Sequence, residues 1–230
     1  NDHFELTIVP AVNGRIWKMK DRATNRQLFG MWGTNHSALD GRGYAEFALP
    51  RSRGRWKDEG VFALAGKTSN SVTMQATLLD GLLSTRTLTL VENKAEVSFH
   101  TILANPTAQP IPIAFCTHPV FNVSDIGQAR AEMLTNDTVT ESKTMNPESV
   151  QGEEVWFHSP TGQWRIVDGK SKTVITNTFD PSLVENCLVW YDNRIWQGNV
   201  TMELRCRSVI LQPGETFEFR HSYSITRMSP

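Results

Sequence analysis

His118 closes an apolar, strand-like run, Ile111-Pro112-Ile113-Ala114-Phe115-Cys116-Thr117-His118, and Pro119-Val120-Phe121-Asn122 follow it. An imidazole that emerges where a strand meets a loop can exchange a proton near neutral pH and hold a ligand in a cleft. A core or rim histidine bonded to a nearby carbonyl has the same appearance in sequence. A second group of residues that could serve chemistry lies within 33–60. There Gly33, Gly41, Gly43, Gly54 and Gly60 are mixed with Arg42, Arg51, Arg53 and Arg55. Guanidinium forks suit phosphate and vicinal hydroxyls, and a solvated basic loop reads the same way. Glu203 sits in Val200-Thr201-Met202-Glu203-Leu204-Arg205-Cys206. Taken alone, Thr201, Glu203 and Arg205 read as the wet face of an edge strand. Cys116, Cys187 and Cys206 are far apart with no CxxC pair, so they match no zinc site and read as small buried residues.

The elements that must position these groups are strands. Val72, Met74, Ala76 and Leu78 alternate with Thr73, Gln75 and Thr77, and Arg86, Leu88 and Leu90 alternate with Thr85, Thr87 and Thr89. Ala95, Val97, Phe99, Thr101 and Leu103 continue the pattern, as do Phe217, Phe219, His221, Tyr223 and Ile225 after a Pro213-Gly214 turn. Period-two alternation in Thr-rich, β-branched and aromatic runs predicts half-buried strands. Residues 163–167 and 172–176 predict a hairpin around Asp168-Gly169-Lys170-Ser171, with Gly169 expected to take a positive φ. Residues 187–191 and 200–206 read as two more strands, and 33–60 as a long polar segment with little periodicity. No stretch has a long 3.6-residue period, and no linker or repeat divides the chain. The expectation is one all-β domain over residues 1–230, with two large antiparallel sheets packed face to face.

The 230 residues carry a net charge of −1, with 39% hydrophobic and 20% charged residues. This globular, near-neutral composition argues against a nucleic-acid partner or an anionic membrane surface. No apolar run approaches ~18 residues, so no spanning helix is expected.

With the strands placed, several phrases together resemble the aldose 1-epimerase (galactose mutarotase-like) superfamily, and most closely its hexose-6-phosphate epimerase branch. Asn13-Gly14-Arg15-Ile16-Trp17 resembles the opening hairpin of that family. His118, Phe121 and Asn122 fall on its H-x-[YF]-F-N pattern, and Val123-Ser124-Asp125-Ile126 continues as in the phosphosugar branch. Glu153-Glu154-Val155-Trp156-Phe157, Ile166-Val167-Asp168 and Leu188-Val189-Trp190 recur in order. Met202-Glu203-Leu204 and then Leu211-Gln212-Pro213-Gly214-Glu215 are similar to the family ending. The shared order runs from about residue 8 to 226.

The resemblance implies a galactose mutarotase-like antiparallel β-supersandwich and anomer interconversion by acid–base chemistry alone, with no metal or organic cofactor. Glu203 would be the base that takes the anomeric proton, and His118 would bind the sugar and help supply a proton to the ring oxygen. The two are expected to face each other across roughly one sugar ring, ~5–8 Å. Asn122, Arg53, Arg55, His158 and Trp190 are the expected substrate-binding residues, with Trp156 and Trp196 as further rings that could stack on a pyranose. The family's second histidine and mid-chain aspartate have no clean match; His158 and Glu154 stand at the colinear place. The implied partner is a small-molecule sugar or a polysaccharide end. A non-catalytic carbohydrate-binding or accessory domain of the same fold, in polysaccharide metabolism, is the alternative. A third reading is a sheet domain whose cleft is only a scaffold.

Overall fold

Alternating strands must bury one face, and here two sheets bury theirs against each other. The architecture comes from a computed structural model, which describes residues 1–29, 43–50, 60–149, 152–192 and 198–228. Strands are numbered along the chain. The first sheet has nine strands. Its order is β1 (Phe4–Val9), β2 (Arg15–Asp21), β4 (Tyr44–Phe47), β10 (Cys116–Asn122), β17 (Asn199–Thr201), β16 (Val184–Tyr191) and β13 (Glu153–Phe157). The short β3 (Arg26–Gln27) pairs with β2, and β18 (Glu203–Cys206) pairs with both β10 and β16. The second sheet also has nine. Its order is β12 (Thr138–Thr144), β11 (Ala129–Thr135), β14 (Gln163–Asp168), β15 (Thr173–Phe179), β20 (Thr216–Arg227), β8 (Glu96–Ala104), β7 (Leu83–Leu90), β6 (Ser71–Thr77) and β5 (Ala63–Lys67). A two-stranded ribbon joins β9 (Ile111–Ile113) to β19 (Val209–Leu211). No helix among the described residues is long and apolar enough to cross a membrane.

The inner faces meet in one apolar cluster drawn from both sheets. Tyr44 and Phe121 of the first sheet interlock with Phe99 and Tyr223 of the second. The Tyr44–Phe99 centroids are 4.4 Å apart and the Phe121–Tyr223 centroids 5.2 Å. Burying each such ring contributes about 1.5–3 kcal/mol, with tilted and edge contacts adding to it.

A polar network crosses this core. Glu46 Oε2 accepts from Arg86 Nε at 2.7 Å and from Thr101 Oγ1 at 2.6 Å, and Glu46 Oε1 accepts from Tyr44 Oη at 2.5 Å. Arg86 also donates to the carbonyls of Asn13 and Gly14, which ties the first hairpin to β7. Because Tyr44 spends its proton on Glu46, its oxygen accepts from His221 Nε2, 2.8 Å away. His221 Nδ1 is then the acceptor for Asn177 Nδ2 at 3.1 Å, while Asn177 Oδ1 accepts from Trp164 Nε1 at 3.2 Å. One tautomer satisfies every group, as a buried network requires.

Two expectations are corrected. The segment 33–60 is not polar throughout: Tyr44, Ala45, Glu46 and Phe47 form a strand buried on both faces. Gly43 immediately precedes that strand at φ +69°, where a Cβ would stand 1.8 Å from the Ile16 carbonyl oxygen. In the hairpin after β14, the positive φ belongs to Lys172 rather than Gly169. Gly169 is there for close approach, since a Cβ would meet the Gln128 carbonyl oxygen at 2.7 Å.

Candidate functional site

On β10, Thr117 and Phe121 face the core, so His118 faces the outer side of the first sheet. Its register partner on β4 is Ala45, and Phe47 on the same face meets the imidazole edge-on at 5.9 Å. The neighbour on the other side is β18, where Cys116 opposes Arg205. Glu203 therefore projects from the adjacent strand onto the same face, and its Oε1 lies 3.6 Å from His118 Nε2. Both side chains are almost fully buried, 10% and 6% exposed. Glu203 is thus not on the wet face of an edge strand, because β18 is flanked on both sides. The strand expected over 200–206 is interrupted at Met202, whose amide donates to the Pro119 carbonyl.

The pair sits closer than the width of a sugar ring. The reason is direct strand pairing, which brings outward side chains of β10 and β18 to neighbouring positions. A spacing of 3.6 Å is longer than a hydrogen bond.

Burial is the main cause that lowers the His118 pKa, by disfavouring the imidazolium. Glu203 opposes the shift, and the charges of Arg15 and Arg205 add to it. The neutral imidazole is thereby favoured at His118. Arg205 donates to Glu203 Oε2 from Nε at 3.3 Å and from a terminal nitrogen at 3.1 Å. The Cys116 thiol reaches the same oxygen at 3.8 Å. The Arg205 guanidinium carbon lies 4.7 Å above the Trp156 ring, and Trp156 Nε1 donates to Glu154 Oε2 at 2.8 Å.

The other expected residues are distributed as follows. His158 is exposed just beyond β13, its ring parallel to Trp156 with centroids 6.0 Å apart. His158 and Glu154 therefore border Trp156, which itself occupies the neighbourhood of Arg205. Trp190 is half-buried, with its ring against Gly152, where a Cβ would come within 2.5 Å. Asn122 is four residues along β10 from His118, about 13 Å at strand spacing. Its carbonyl accepts from Arg26 at 2.7 Å. Arg53, Arg55 and Trp196 lie outside the described residues.

Two arginines at the pair were not singled out from sequence. Arg15 belongs to the Asn13-Gly14-Arg15 turn that the resemblance already covered, and it is buried at the start of β2. Arg205 is two residues from Glu203, a spacing that puts both on one strand face. Among the described residues no group of three or more His, Cys, Asp or Glu side chains is arranged to hold a metal ion.

At the level of fold, the chain is a galactose mutarotase-like β-sandwich. It is similar to a galactose mutarotase-like protein from Lactobacillus casei (TM-score 0.79, 12% identity), with 98% of each chain covered. A galactose mutarotase related enzyme from Lactobacillus acidophilus matches 98% of this chain and 95% of its own (TM-score 0.76, 10% identity). The whole chain also matches 46% of a TPR-domain containing protein from Parabacteroides distasonis (TM-score 0.76, 11% identity). No protein-family model matches the sequence, and neither does any curated protein. Likeness at this identity is a likeness of fold, which by itself hosts many chemistries.

Proposed function

We propose that residues 1–230 form one carbohydrate-acting unit, an aldose 1-epimerase-like protein that interconverts the anomers of a free or phosphorylated sugar. The observation that carries this reading is the buried contact of 3.6 Å between His118 Nε2 and Glu203 Oε1 on the outer face of the first sheet. Glu203 takes the proton of the anomeric hydroxyl while protonated His118 gives one to the ring oxygen. The ring opens, the C1–C2 bond rotates, and closure on the other face returns both protons. Each group ends as it began, so no cofactor or external acid is consumed. Trp190 and Asn122 line the same face as outer contacts for the sugar.

One observation favours a second reading, a non-catalytic carbohydrate-binding or accessory domain. The family's second histidine and mid-chain aspartate have no clean match here, and in that colinear stretch Trp156 is packed against Arg205. The two readings separate by NMR of anomer exchange with glucose, galactose, rhamnose, glucuronate and glucose 6-phosphate. Exchange accelerated for one of these sugars supports the epimerase. Line-broadening of a sugar without faster exchange supports the binding domain instead.

A further inference from the structure

Arg205 has a place in this site that an acid–base pair alone does not explain. It binds Glu203 through two nitrogens, and both go to Oε2, while Oε1 is the oxygen that faces His118. The carboxylate is thereby divided into a tethered oxygen and a working one. Arg205 is in turn fixed from its other side by the Trp156 ring, 4.7 Å from the guanidinium carbon. Strand register explains how these groups meet. Trp156 and Glu203 both oppose Leu188 of β16, so ring and carboxylate share one face with a single strand between them. Arg205, one turn of the pleat further along β18, reaches across to the ring. Glu154 completes the support by accepting from the indole nitrogen. A planar guanidinium that is stacked and doubly bonded holds its geometry in a way a lysine ammonium does not.

We infer that Arg205 is a positioning residue for Glu203, itself held in place by Trp156, and that it acts on the sugar only by aiming Oε1 at the anomeric hydroxyl. The inference rests on the epimerase reading above. It assigns the Glu154–Trp156–Arg205 row a task in this chain: the row does not bind substrate but sets the direction of the base.

The test is steady-state anomer exchange with the sugar that responds in the panel. Wild type is compared with Arg205→Gln, Arg205→Lys and Trp156→Leu, each checked for an unchanged thermal transition. Arg205→Gln is expected to lower kcat about 10²-fold, the scale of a small misplacement of a reacting group. KM should stay nearly constant, because no sugar contact is lost. Arg205→Lys should recover part of kcat, and Trp156→Leu should lower it in the same direction by less. In a Glu203→Asp background, whose shorter carboxylate is withdrawn from the guanidinium, Arg205→Gln should cost little more. A raised KM with unchanged kcat would mean that Arg205 holds the sugar itself, and the inference would be wrong. Full additivity with Glu203→Asp would equally overturn it. A wild type that accelerates no sugar removes the epimerase reading and this inference together. An active wild type with an indifferent Arg205→Gln removes the inference alone.

Discussion

A neutral imidazole beside a carboxylate has a direct kinetic consequence. The proposed step needs Glu203 ionised and His118 protonated, and burial lowers the His118 pKa below its usual value. The fraction of active pairs therefore grows as pH falls through the neutral range. The kcat profile should show an alkaline limb whose midpoint lies below the ordinary histidine value of ~6.5. His118→Asn should abolish that limb together with most of the rate. An alkaline limb centred above pH ~7 would mean that His118 is not the acid. At this scale the resemblance pointed to His118 and Glu203, which lie 3.6 Å apart, but not to their neighbours. Glu203 and Arg205 are visible as one strand face, yet nothing local says that the face is buried. Burial comes from β10 and β16 on either side, and β10 is distant in sequence.

Among the elements, β4 governs the site because its two faces serve different ends. Ala45 and Phe47 border His118 on the outer face, and Tyr44 and Glu46 enter the core network on the inner one. The Glu46–Arg86 ion pair is nearly inaccessible, its side chains 1% and 3% exposed. Removing one partner would strand a buried charge. Arg86→Met is expected to destabilise the fold by about 3–5 kcal/mol, and Glu46→Leu combined with Arg86→Met by less than that single change. Chemical denaturation of both variants checks this, and a double variant weaker than the single one would contradict it. The strand was not legible in sequence because all four of its residues are buried, which erases alternation. Its one charged residue, Glu46, then looks like loop polarity. By contrast β6, β7, β8 and β20 were legible, since buried and wetter residues alternate along most of each strand.

Across the whole molecule, the two sheets are joined by apolar rings and by a hydrogen-bonded row that runs through His221 to Asn177 and Trp164. Burial holds the His221 pKa down to about 3, and the Arg86 charge adds to this. An unfolded chain binds that proton near pH ~6.5, so between those values the unfolded state carries more protons. Stability should therefore fall steadily as pH drops from ~6.5 toward ~3, by several kcal/mol for this group alone. The denaturation midpoint of wild type at pH 7 and pH 4 should reflect this, and His221→Gln should flatten the difference. An unchanged pH dependence in the variant would assign acid sensitivity to other groups. The sandwich itself was readable from pattern, and the two Lactobacillus structures that share it agree at only 10–12% identity. Such agreement rests on alternation and turn placement, which many sequences satisfy, whereas the site rests on a few side chains brought together by register.

The measurement that bears most directly on the central claim is anomer exchange at neutral pH by wild type and Glu203→Gln, with sugar binding followed in the same samples. The account predicts that Glu203→Gln still binds the sugar and loses exchange by about 10² or more, the low end for a lost general base. Exchange that persists at the wild-type rate in Glu203→Gln would contradict it, because the carboxylate would then have no part in moving the proton.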